Sequence, residues 1–97
     1  MDEIRFEWDE AKNAANRRAH RVSFEEAATV FLDEAAIQFF DERHSAREDR
    51  FLMLGMSVRL RLLIVSHAYR EEQDVIRIIS ARTATARERG HYVRKKP

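Results

Sequence analysis

The second half of this chain is almost entirely apolar segments separated by short polar turns, and that pattern limits the fold more than any other feature. Residues 48–57 (EDRFLMLGMS), 59–69 (RLRLLIVSHAY) and 75–81 (VIRIISA) each read as a strand, with EEQD at 71–74 as the second turn. A fourth strand, 35–40 (AAIQFF), precedes a polar turn at 42–46 (ERHSA). Connections this short cannot hold a parallel crossover, so the four strands are expected to form an antiparallel meander. The apolar content of 75–81 is typical of a sheet centre.

The first half supplies helices. Residues 4–8 (IRFEW) alternate as a short strand, and Asp9 can cap a helix over 10–20. Ala11, Ala15 and Ala19 recur at i, i+4, i+8, which predicts a small-residue face against the sheet. Ser23 and Glu26 have capping-box spacing and open a second helix, to about Thr29, with Phe24, Ala27, Ala28 and Phe31 inward. Thr85 and Glu88 repeat that spacing and open a third helix, to about Lys95. The expected order is β-α-α-β-β-β-β-α. It predicts an α+β fold over residues 1–97 as one domain, an antiparallel sheet with about three helices, two layers deep.

Two glycines and one proline leave few breakers, which favours long elements. With no cysteine, disulfides, thiolate metal sites and a cysteine nucleophile are excluded, and a reducing cytoplasm fits. The acidic start MDEIRFEWDE lacks an apolar signal region, and no run approaches the ~20 apolar residues of a membrane span. A cytoplasmic protein is therefore expected. The net charge of +1 conceals an asymmetry: five acidic residues and one arginine in the first ten positions, but seven basic residues and one acidic after Asp74. Fifteen of the eighteen basic residues are arginine, whose planar fork suits phosphate and carboxylate. A high-GC genome is the other source of such a bias.

Three groupings could carry chemistry. Lys12, Asn16 and His20 lie at i, i+4, i+8 on one helix edge, which also reads as a solvated edge. Glu48 and Arg50 share strand parity, either as an ion pair or as a base beside a phosphate clamp. Ser80 and Arg82 share a face of the last strand with Ile76 and Ile78, while Arg77 is expected on the opposite face with Val75 and Ile79. Arg82 then emerges near a helix N-terminus, where anions are attracted. His67 reads as packed within a strand and His44 as exposed in a turn. No metal-ligand, Walker, dinucleotide or nucleophile-elbow motif is present.

Taken together, FEWDEAKNAANRRAHRVSFEEA (residues 6–27) resembles the opening of the BrnT family, the toxins of bacterial type II toxin–antitoxin pairs. The likeness continues through Val30-Phe31 and Asp33, then Glu48, Arg50 and Gly55, then RIISAR (residues 77–82), Ala84, Glu88, Arg89 and Tyr92. Relatives commonly carry glycine after the helix-ending histidine, where this chain has Arg21. The resemblance implies a RelE-like fold and a ribonuclease that needs no metal or other cofactor. It also implies a BrnA-type ribbon-helix-helix antitoxin, through whose complex operator DNA would be bound.

Such a ribonuclease would use the ribose 2′-OH as nucleophile. It needs a base, an acid for the leaving 5′-oxygen, and positive charge on the phosphorane. On this resemblance Arg50 and Arg82 suit charge stabilisation. Glu48 or His20 could be the base, and His20 or Tyr92 the acid. Lys12, Asn16, Arg77, Ser80 and Arg89 would contact RNA. The basic last helix would guide RNA or receive an acidic antitoxin segment. The rival reading is a non-catalytic module that grips RNA or a protein through the same basic face.

Overall fold

The computed structural model describes residues 4–70 and 74–95. Five strands are present: β1 (Arg5–Glu7), β2 (Ile37–Phe40), β3 (Phe51–Met56), β4 (Leu62–Tyr69) and β5 (Val75–Thr83). The helices are α1 (Glu10–His20), α2 (Phe24–Thr29) and α3 (Ala86–Lys95), with short 3₁₀ turns at Val30–Leu32 and Glu42–His44. The predicted element order therefore holds. The turn expected at 71–74 falls mostly outside the described residues.

The sheet order is β1-β5-β4-β3-β2. Strands β2 to β5 form the expected antiparallel meander, but β1 pairs parallel to β5, so the sheet is mixed. The reason is topological. β1 is followed by two helices that carry the chain across the sheet, whereas the later strands are joined by tight turns.

Strand β4 lies at the centre, and its Leu62, Leu63, Ile64 and Val65 are all buried. A continuous apolar run of this kind requires cover on both faces. On one face, Leu63 and Val65 join Val22, Phe24, Ala27, Val30, Ile78 and Ala81, beneath α1 and α2. On the other, Leu62 and Ile64 meet Leu54 and Tyr92 of α3. The helices thus cover both faces, not the single face expected, and there are three layers. Each large buried side chain contributes about 1.5–3 kcal/mol.

The helix caps form as their residues dictate. Asp9 accepts from the backbone of Ala11 and Lys12, and Ser23 from that of Glu26. Thr85 and Glu88 cap each other reciprocally at 3.2 and 2.8 Å. α1 buries a different face from the one predicted. Ala11, Ala15 and Ala19 are exposed, while Asn13 and Asn16 are buried.

Arg21 ends α1 in the left-handed region (φ 58°), donating its backbone N–H to Arg17. This position favours glycine, because a Cβ there costs about 1–2 kcal/mol. Glycine's extra unfolded-state freedom takes back about 0.5–1 kcal/mol. Arg21→Gly is therefore expected to raise the melting temperature by about 2–4 °C. Thermal unfolding followed by circular dichroism checks this. Gly55 is needed for a different reason. A Cβ there would lie 2.7 Å from Val30 Cγ1 and 2.9 Å from Ala36 Cβ, so β3 could not approach the 3₁₀ turn.

His67 is fully buried, ringed by Phe31, Phe51 and Tyr69. Its nitrogens lie 3.0 Å from the Val65 carbonyl oxygen and 3.0 Å from Gln38 Oε1. Burial holds its pKa below the ordinary 6.5. As pH falls through 6.5 the unfolded chain takes up a proton at this site that the folded chain refuses. Stability is then lost with falling pH. The melting temperature is expected to drop from about pH 7 to pH 5, and His67→Phe to flatten that slope.

Candidate active site

The face of the sheet that carries Leu52, Ile64 and Ser66 is not fully covered by α3. An open pocket of about 590 Å³ remains there, floored by these residues with Ile79 and Ser80. Around it stand His20, Asp41, Arg43, His44, Arg50 and Arg82, five groups that are or can become cationic and one acid.

Three local devices build the pocket. The first is a bulge. Ser66 pairs with Ser80 but His67 pairs with Ile78, so β5 has one residue in excess at Ile79. The excess residue reverses side-chain parity along β5. Arg77 therefore shares a face with Ser80 and Arg82, while Ile78 turns to the α1–α2 core and Ile76, also buried, shares its face. Strict alternation had predicted the opposite partition.

The second device is Asn16. β1 pairs with β5 only as far as Arg77, leaving the later part of that edge without a strand. The Asn16 side chain takes the strand's place: Nδ2 donates to the Ala81 carbonyl at 2.8 Å, and Oδ1 accepts from the Ala81 N–H at 3.2 Å. Nδ2 also donates to the Val22 carbonyl at 2.8 Å. The C-terminal turn of α1 is thereby pinned along β5, and His20, one turn onward, reaches the pocket.

The third device is the 41–50 loop. Asp41 N–H donates to the Arg50 carbonyl at 2.8 Å, and Ser45 Oγ both donates to the Asp41 carbonyl and accepts from the Arg50 N–H. These bonds bring Arg50 back beside Asp41. Within the 3₁₀ turn, side chains three apart eclipse. Asp41 occupies the N-cap position of that turn without a side-chain capping bond, and its carboxylate lies 2.9 and 3.2 Å from His44 Nδ1.

The arginines are not equivalent. Arg82 is committed: Nη1 and Nη2 bind the two Glu88 oxygens at 2.8 and 2.9 Å, and Nη1 reaches the Thr83 carbonyl at 3.3 Å. Hydrogen bonding to Arg82 pulls the Glu88 carboxyl down to about 2, and Glu88 in turn raises the arginine. Arg50 is the opposite case. Its Nε is buried without a hydrogen-bond partner among the described residues, and its ion pair with Glu48 is loose at 3.6 Å. Glu48 is held mainly by Arg77, whose hydrogen bond keeps the carboxyl below its ordinary range. Glu48 also borders a smaller cavity of about 220 Å³ shared with His44, Arg47 and Arg50.

Residues 8–88 match the family described as "Ribonuclease toxin, BrnT, of type II toxin-antitoxin system". The chain belongs to the BrnT family. The crystal structure of the Brucella abortus ribonuclease toxin BrnT superposes with a TM-score of 0.63 at 21% identity, covering 84% of this chain and 97% of that one. At that identity the likeness speaks for a shared fold. No curated protein sequence matches.

Within this BrnT fold, His20, Arg50, Ser80 and Arg82 line one pocket. Glu48 and Arg77 pair with each other and do not line it; Glu48 borders the smaller cavity. Glu48 and Arg50 precede β3 in the loop and are not strand neighbours, yet the loop closure still sets them side by side.

Two expected roles do not survive. Asn16 is 7% exposed and its amide is spent on backbone, so it does not face RNA. Tyr92 is 4% exposed beneath α3, outside the pocket, and donates to Asp33 at 2.7 Å. Burial and the Asp33 carboxylate push its phenol up to about 12, and its O–H is turned to Asp33, away from the pocket. Lys12 and Arg89 are exposed but do not line the pocket. Lys12 lies two turns, about 12 Å, before His20.

Asp41, Arg43, His44 and Ser66 line the pocket and were not anticipated. The D-x-x-H spacing was a usable signal, since in a 3₁₀ turn it places an acid directly under an imidazole. Among the described residues no helix is long and apolar enough to cross a membrane.

Proposed function

We propose that this chain is an endoribonuclease of RelE-like type that cleaves cellular RNA without a metal ion and so halts translation and growth. The observation that carries this reading is a pocket in which Arg50's guanidinium, held only by a loose ion pair to Glu48 at 3.6 Å, stands beside two imidazoles, His20 and His44. Arginine stays protonated through the reaction and stabilises the charge that builds on a phosphorane. It thus supplies what a metal would otherwise provide. Arg82, steadied by Glu88, presents a second fixed positive group. Ser66 and Ser80 add hydroxyls at the floor. Arg77, Lys12 and Arg89 would guide the RNA backbone towards the pocket.

Glu48 is a poor base in this arrangement, because its hydrogen bond from Arg77 stabilises the carboxylate form. His20, which lines the pocket, gives a proton to the leaving 5′-oxygen. The partner of the complex would be a BrnA-type ribbon-helix-helix antitoxin. An acidic segment of it would suit the positive pocket, and operator DNA would be reached only through that antitoxin. Expression in bacteria that lack the antitoxin tests this reading. Growth arrest with RNA decay is expected. Normal growth and intact RNA from a folded, abundant chain would contradict it and favour a binding module.

A further inference from the structure

We propose that Asp41 and His44 form the base of this ribonuclease, with His44 Nε2 taking the proton from the attacking 2′-OH. The proposal rests on the ribonuclease reading and assigns the one role which that reading leaves open. Four observations support it. His44 Nδ1 lies 2.9 Å from Asp41 Oδ2 and 3.2 Å from Oδ1, so the carboxylate fixes the tautomer with the proton on Nδ1. The lone pair is then on Nε2, the state a base requires. The Asp41 side chain is 11% exposed and held by the loop closure, whereas His44 is 64% exposed and borders both cavities. An anchored acid behind an accessible imidazole is the arrangement that orients a general base. Finally, Arg50 lines both of the cavities that His44 borders, so charge stabilisation lies beside the base.

The step balances. His44 Nε2 removes the 2′-OH proton, the 2′-oxygen bonds to phosphorus, and the bond from phosphorus to the 5′-oxygen breaks. His20 donates the proton that the 5′-oxygen takes. The products are a 2′,3′-cyclic phosphate and a 5′-hydroxyl, with no change of oxidation state. Asp41 touches no reacting atom and is a positioning residue.

The test uses the full-length chain and two RNA oligonucleotides, one normal and one with sulfur replacing the bridging 5′-oxygen at the cleaved linkage. A thiolate leaves without an acid, so the sulfur substrate restores a variant lacking its acid but not one lacking its base. His44→Gln is expected to lose about 100-fold or more in kcat on both substrates, with an unchanged melting temperature. Asp41→Asn is expected to lose about tenfold or more in kcat at unchanged KM. His20→Gln is expected to be defective on the normal substrate and restored on the sulfur one. If His44→Gln cleaves the normal substrate as wild type does, His44 is not the base. If the sulfur substrate restores it, His44 is the acid and the assignment is overturned. A wild-type chain that cuts neither RNA rejects the ribonuclease reading itself, a result distinct from either.

Discussion

Arg50→Ala is expected to lower RNA cleavage by about 100- to 1000-fold, the range for removing one preorganised charge-stabilising donor. The unfolding temperature should barely move, because the loose ion pair at 3.6 Å holds Arg50 to little, and Glu48 keeps its stronger partner Arg77. Arg82→Ala should behave differently. Arg82 is bound by both oxygens of Glu88, and Glu88 also closes the capping box of α3. Its removal should weaken cleavage and also loosen the last helix. Steady-state cleavage rates and thermal melts of both variants separate the two roles. Equal melts and equal rates would mean that Arg50 has no special place in the site.

Asn16→Ala is expected to have the largest effect on stability of any change near the pocket. Three buried hydrogen bonds end on this side chain, two of them to the open edge of β5 at Ala81. Leaving those backbone groups without partners costs about 2–4 kcal/mol. For a domain of this size that lowers the melting temperature by roughly 10–25 °C. If Asn16 instead contacted RNA, the variant would melt like the wild type and only bind substrate more weakly. Calorimetry decides between the two.

The elements of this fold were legible because local rules produce them. Asp9, Ser23 and Thr85 each start a helix with their own side chains. The 75–81 run, expected at the sheet centre, lies instead in β5, one place from the edge, and β4 is central. Pairing was less legible. No local pattern tells β1 to lie parallel beside β5, since that choice depends on where two helices pack. Side-chain parity failed at a single place, the bulge at Ile79, and that one residue moved Arg77 to the face of Ser80 and Arg82.

At the site, Arg50, Arg82, His20 and Ser80 were picked out from sequence and share a pocket. Asn16 and Tyr92 were picked out too, but polar side chains buried for structural reasons look the same in sequence as polar side chains kept for chemistry. His44 was passed over as an exposed turn residue. Its exposure is real, but the carboxylate fixed behind it becomes visible only once the 3₁₀ turn stacks Asp41 under it.

The central claim is metal-free cleavage through the ribose 2′-OH. The most direct measurement incubates the purified chain with RNA in excess chelator and identifies the chemical ends of the products. The account predicts fragments ending in 2′,3′-cyclic phosphate with 5′-hydroxyl partners. RNA that is bound but left intact, or fragments with 3′-hydroxyl and 5′-phosphate ends, would contradict it.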